Sequence, residues 1–342
     1  MRIGKPLLIT AFALVVVAGG YSAYWFYTKN VALDRIAEWV SARQLDGFRI
    51  GHEPPRVDGY PFSIRIVLGA PSVVAPGDAW HWQGTSLALE AQPWNLYRYR
   101  LESHGAQEIG FMRDGEPVRL ALETAETTAV AGFWTNGQPK SISILLRELK
   151  GSGDSGAWQA AEVWIEVTQP ETPPVVHTET ALTLSVSGAE VTLPEGHDAP
   201  LGRTIESLRG DFRLLGAIGG GPIEAALNTW RQAGGTVEVP WLRTVWNRVD
   251  LRAQGTLALD EDWRPAGSFS ADIRGFAQGM DALAAANVIE PNSVTMAKIG
   301  LALLAKKPPE GGEAVLTVPI TAQAGQLFVG PIRIARLPPI QF

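Results

Sequence analysis

The side chains best suited to catalysis are sparse in this 342-residue chain, and they do not converge. The five histidines, His52, His81, His104, His177 and His197, are scattered, and no two are spaced to hold a metal from one helix face. There is no cysteine, which excludes disulfides, thiolate nucleophiles and cysteine metal sites. Neither His-Glu-x-x-His nor Gly-x-Ser-x-Gly occurs. Glu102-Ser103-His104 places three reactive types side by side, but it reads as a local accident at a polar strand end. Catalysis needs convergent groups with tuned protonation. The sequence names none, so the expectation is a non-enzymatic protein with no catalytic residue, metal or cofactor.

Residues suited to binding are a little more numerous. Gly219-Gly220-Gly221 before Pro222 could cradle an anion at a helix start, but no lysine or Ser/Thr follows as a phosphate loop requires, so it reads as a connector. Trp80 and Trp82 are spaced to share one strand face, at a core or rim position. In Asp58-Gly59-Tyr60-Pro61-Phe62, Gly59 and Pro61 set a turn, and Phe62 is expected to open a buried strand face. In Gln92-Pro93-Trp94-Asn95, Pro93 ends a strand and Trp94 is expected to cover an edge.

The elements that hold these residues begin with a membrane segment. Leu7 to Tyr27 is 21 residues without a charge, enough to cross a hydrocarbon core of roughly 30 Å. Arg2 and Lys5 precede it, and Tyr24-Trp25-Phe26-Tyr27 closes it as interfacial aromatic residues do. The basic tip, residues 1–6, is expected to stay in the cytoplasm, with everything after the span outside it. A cleaved signal peptide would use Leu7 to Ala18 as its apolar region, but no A-x-A site with a polar start follows. After residue 29 the chain holds 26 basic and 35 acidic residues, a net charge of −9. That body is unsuited to nucleic acid and offers no basic patch for anionic head groups.

Residues 28–46 read as an amphipathic connector helix, with Val31, Ile36, Trp39 and Val40 at helical spacing. From residue 47 to 342 period-two alternation dominates, the mark of antiparallel strands with unequal faces. It runs through Ile64 to Leu68, Leu87 to Ala91, Tyr97 to Leu101, Val118 to Leu122, Ala161 to Val167, Leu182 to Val186 and Leu208 to Leu214. The longest case is a hairpin in which Val249, Leu251, Leu257, Leu259, Phe269 and Ile273 share one face. Helices are expected at Pro222 to Gln232, Phe276 to Val288 and Ser293 to Ala305, the last two broken at Glu290-Pro291-Asn292. Lys306 to Glu313 reads as a loop, and Val315 to Ile320 with Leu327 to Ile334 as a closing hairpin. The fold class is therefore mainly β with a few helices: an N-terminal transmembrane helix, then a large antiparallel, curved or rolled sheet with a late helix pair. An echo between Gln83–Glu90 and Gln254–Asp260 raises two similar halves, 47–200 and 201–342.

Four features together resemble the bacterial envelope family called domain of unknown function 2125. They are the leading span with Asp58-Gly59-Tyr60-Pro61-Phe62 entering a strand, Gln92-Pro93-Trp94-Asn95 leaving one, the stretch VDLRAQGTLALDEDWRPAGSFSADIRG from Val249 to Gly275, and the ending LFVGPIRIARLPP from Leu327 to Pro339. The strand–helix-pair–strand ending also resembles AsmA-like envelope proteins, whose long rolled sheets are linked to lipid homeostasis. The resemblance implies a bacterial inner-membrane protein with its C-terminal domain in the periplasm, and implies no chemistry.

Two functions fit. In one, Val249, Leu251, Leu257, Leu259, Phe269 and Ile273 line an apolar groove for lipid acyl chains. In the other, the sheet closes on a dry sandwich or barrel core and serves as a structural or interaction module for other envelope proteins. Alternation alone leaves both open, because both bury one face.

Overall fold

The computed structural model describes every residue except 1–4, 114–115, 155, 196–198, 221–222, 287–290, 308–312, 331 and 341–342. His197, the Gly221-Pro222 step, Glu290 and most of the Lys306–Glu313 loop therefore lie outside the described residues. The chain divides into two compact units, Met1–Gly132 and Phe133–Phe342.

The first unit opens with α1, a single helix of 41 residues, Lys5–Leu45. At 1.5 Å per residue it is roughly 60 Å long, about twice the thickness of a hydrocarbon core. The span and the connector, read from sequence as separate elements, are one uninterrupted rod. No glycine stop or proline lies between Tyr27 and Val31 to end the first helix.

Eight strands follow: β1 (Arg49–Gly51), β2 (Arg56–Asp58), β3 (Ile64–Gly69), β4 (Ser72–Val74), β5 (Trp80–Gln92), β6 (Asn95–Arg113), β7 (Glu116–Glu123) and β8 (Glu126–Phe133), the last ending at the boundary. All their pairings are antiparallel. β5 carries β3 and β4 on one side and β6 on the other. The 19-residue β6 pairs with β8 along its first half and β7 along its second. Ile64 and Ile66 of β3 are buried with Trp25 of α1, and Ala32, Leu33 and Ile36 extend that contact along the helix. The spacing 25, 32, 36 marks one helical face, so the second half of α1 belongs to the body of this unit.

The second unit is an antiparallel meander. Its strands are β9 (Pro139–Gly153), β10 (Gly156–Thr168), β11 (Thr180–Thr192), β12 (Thr204–Leu215), then after α2 (Ile223–Gln232) β13 (Thr236–Trp246), β14 (Val249–Leu259) and β15 (Pro265–Arg274). α3 (Phe276–Ala285) and α4 (Pro291–Leu304) precede β16 (Leu316–Gln323), β17 (Gln326–Val329) and β18 (Ile332–Arg336). Each strand pairs with the next in sequence. The antiparallel β class and the late helix pair are as expected. α4 begins at Pro291 instead of Ser293, since proline lacks the N–H that a first helical position leaves unpaired anyway. The closing hairpin turns at Ala324-Gly325, and the segment expected as its second arm is two strands, β17 and β18, that pair antiparallel with each other.

Candidate functional site

Two places in the molecule gather the residues that the sequence singles out, one in each unit. In the first unit Tyr21, Tyr24, Trp25 and Thr28 recur at i, i+3, i+4 and i+7, so they share one face of α1. That face meets the two motif loops. The Tyr21 hydroxyl donates to the Pro61 carbonyl oxygen. The Trp25 indole N–H donates to the Ser63 carbonyl oxygen at 3.0 Å, and the Tyr24 hydroxyl donates to the Pro93 carbonyl oxygen at 2.8 Å. The hydroxyls of Ser22 and Tyr60 are 2.8 Å apart. Tyr60 meets the Trp25 ring edge-on at 5.4 Å and stacks on Phe26 at 6.2 Å.

These contacts explain the motif types. Gly59 has φ +95°, and a Cβ there would come within 2.4 Å of the Ser63 hydroxyl and 2.7 Å of its carbonyl oxygen, so only glycine fits the turn. Its carbonyl accepts the backbone N–H groups of Phe62 and Ser63. Asp58 is the last residue of β2 and is exposed. Pro93 is fully buried beneath α1, while Gln92 and Asn95 pair across the tight turn from β5 to β6. Two expectations need correction. Phe62 does not open a buried strand face: it lies in the turn before β3 and is 73% exposed. Trp94 covers no edge: it projects from its turn, 60% exposed. In both cases the chain is reversing direction, so strand parity does not govern where the ring points.

Several other candidates resolve structurally. Trp80 and Trp82 both lie on β5 and share a face, opposite Phe111 and Ile109. Trp80 is at an exposed rim, and the Trp82 N–H donates to Gln107 at 3.2 Å. Ser103 is buried and donates to the Ser86 carbonyl oxygen, whereas His104 is exposed. Glu102 is occupied by Arg65 at 3.0 Å. Among the described residues no group of three or more His, Asp or Glu side chains is placed to hold a metal ion.

In the second unit the register assembles a two-faced sheet. Directly paired residues of antiparallel strands share a face. One such row runs Ile144, Ile165, Val186, Gly210, Leu242, Ala253, Ala271 and Val318 across eight strands. The adjacent row runs Leu146, Val163, Gly188, Leu208, Thr244, Leu251, Ile273 and Leu316. At about 4.8 Å per strand, each row is roughly 34 Å long. Val249, Leu251, Leu257, Leu259, Phe269 and Ile273 all lie on this apolar face, and all six are half-buried.

The helix pair covers only one part of it. Met280 and Leu301 pack on Leu316 and Val318, with Ile273 at the margin, and a Cβ on Gly279 would come within 3.1 Å of Val249. α2 seats Trp230 at another edge, where its N–H donates to the Leu215 carbonyl oxygen at 2.7 Å. Ile144, Ile165, Val186 and Leu242 keep partial exposure. Ile144 and Leu242 were not singled out in the sequence, because their strands depart from simple alternation.

The opposite face carries the charged residues, with Leu145, Trp164 and Trp241 among them. Arg209, Arg243, Arg252 and Asp272 form one row, and Asp250 pairs with Arg274. The Arg243 guanidinium grips Asp250 with two bonds of 3.0 Å. Those hydrogen bonds hold the Asp250 carboxyl below its ordinary range against the opposing effect of partial burial, and the charges of Arg243, Arg252 and Arg274 act in the same direction. Asp250 in turn raises Arg243.

Comparison with curated proteins and with solved structures finds no match. A family model does match, and it covers residues 25–338, from the docked tryptophan of α1 to just past the last strand. The chain belongs to the DUF2125 family, described as an uncharacterized protein conserved in bacteria.

Proposed function

We propose that this chain is a single-pass protein of the bacterial inner membrane whose periplasmic β-sheet body handles lipid, without catalysis. The anchor is α1, the one described helix long and apolar enough to cross a membrane. The basic tip and the acidic body favour the orientation that places the sheet outside the cytoplasm.

The observation that carries the lipid reading is the apolar row from Ile144 to Val318. Gly210, Ala253, Ala271 and Val318 of that row are buried, but Ile144, Ile165, Val186 and Leu242 keep partial exposure and are not replaced by polar residues. A broad apolar face left partly open needs an occupant. Acyl chains suit it because they need no hydrogen-bonding partners, and the row offers almost none. The alternative, a dry structural core, would bury these residues as Leu316 is buried, at 1% exposure.

The test is organic extraction of the purified full-length protein after delipidating washes, with mass spectrometry of the extract. Phospholipid retained in a fixed ratio to protein supports the reading; a lipid-free protein of unchanged stability opposes it.

A further inference from the structure

We propose that the turn at Tyr60-Pro61-Phe62 and the turn at Pro93-Trp94 are seated in the membrane beside α1, with Phe62 and Trp94 inserted into the leaflet from which the helix emerges. This inference rests on α1 being a membrane span; it does not depend on the sheet binding lipid.

Depth along the helix decides where the two loops sit. The apolar run ends at Tyr27. The first residue that holds a loop is Tyr21, six positions earlier, or roughly 9 Å deeper along the axis. Tyr24 and Trp25 hold the same two loops from within that last stretch. A helix inserted to the end of its apolar run therefore draws both turns down to the interfacial layer. The turns cannot stay behind in water, because Trp25, 3% exposed, and the buried Pro93 clamp them to the helix.

What the turns present at that depth fits a lipid interface. Phe62 and Trp94 point outward, and Tyr60 is half exposed beside Phe26. Tyr24, Phe26 and Tyr27 of α1 are exposed as well, as are the apolar side chains Ile9 to Val17 of the span before them. Aromatic rings with one polar edge favour the layer between head groups and acyl chains, and phenylalanine favours the hydrocarbon side of it. A soluble protein partner could not cover this surface without itself entering the bilayer, so the occupant is phospholipid. The protein then meets its membrane at three points, not one.

The chain has no native cysteine, so single labels can be placed without background. Nitroxide labels on F62C and W94C would be compared in the full-length protein, reconstituted in vesicles of phosphatidylethanolamine and phosphatidylglycerol. F12C reports a position within the span, and E116C, at the far end of β6 from Trp94, reports water. Collision with oxygen, which concentrates in lipid, is compared with collision with a water-soluble nickel chelate. Phe62, Trp94 and Glu116 are exposed, so these changes leave the core intact, as circular dichroism would verify.

The expected result is an oxygen-to-nickel ratio several-fold higher at F62C and W94C than at E116C, and below that at F12C. A lipid signature at F12C with water-like values at F62C and W94C would overturn the seating and leave the anchor standing. Water-like values at all four sites would overturn the anchor, and the seating with it.

Discussion

The Tyr24 hydroxyl donates to the Pro93 carbonyl oxygen across 2.8 Å, tying the N-terminal helix to the turn between β5 and β6. Together with the Trp25 bond to Ser63, it makes the helix a packed element of the first unit. Removing the Tyr24 hydroxyl in Y24F should cost about 1 kcal/mol, the usual worth of one such bond. W25A removes a buried ring and should cost about 3–5 kcal/mol. Thermal unfolding of the full-length protein in detergent checks both. Equal, negligible effects would mean that the helix is only tethered, not packed.

Gly59 offers a sharper test of the same joint. Its positive φ and the nearby Ser63 atoms leave no room for a side chain. G59A should destabilise by roughly 1–3 kcal/mol through backbone strain alone, more if Ser63 is displaced. A G77A change, also at positive φ but with open space around it, isolates the strain from the clash. If G59A melts no lower than G77A, the crowding at Ser63 is not limiting.

Much of this architecture was legible because solvent exposure imprints a period on sequence. The apolar span, the β14–β15 hairpin and the late helices follow directly from their patterns. β13 was not legible, and its register says why. A bulge between Val239 and Leu242 switches the inward positions from odd to even numbers, so Val237 and Val239 share a face with Leu242 and Thr244. β9 hides for another reason: Leu145 and Leu146 are adjacent apolar residues on opposite faces, which blurs the alternation. The motif around Tyr60 was legible as a turn but not as a docking loop. Its partner is a helix some 40 residues earlier, and nothing local records that contact. The spacing of Tyr21, Tyr24, Trp25 and Thr28 was the available signal.

The charged face predicts a pH dependence. Asp250 is held below its ordinary value of 3.8 by its bonds to Arg243, so its contribution is complete above the unfolded value and is lost as pH falls through the lower folded one. The Arg243 side of the pair is open to solvent, which limits the pair to about 1 kcal/mol at neutral pH. D250N should therefore be less stable than the wild type at pH 7, with the difference shrinking below pH 3.8 and vanishing in stronger acid. Denaturant titrations across that range check the sign. A difference unchanged from pH 7 to strong acid would assign the effect to packing instead.

The orientation is tested by fusing a reporter that folds only in the periplasm after residue 342. Activity is expected, and the N-terminal sequence of the purified protein should begin upstream of Leu7. A reporter active only in the cytoplasm would contradict the topology, and a mature start near Tyr21 would contradict the anchor.

The lipid function requires the apolar face of the second unit to be an open surface for acyl chains. Val186 lies in the middle of the row, partly exposed, and Leu316 lies under the helix pair, 1% exposed. An unpaired carboxylate costs several kcal/mol where it is buried and little where water reaches it. The decisive measurement is melting temperature together with co-purified phospholipid for the wild type, V186E and L316E. L316E should unfold, while V186E should melt close to the wild type and lose most of its lipid. A wild type without lipid, and a V186E that unfolds as L316E does, would contradict the lipid function and make the face a closed core.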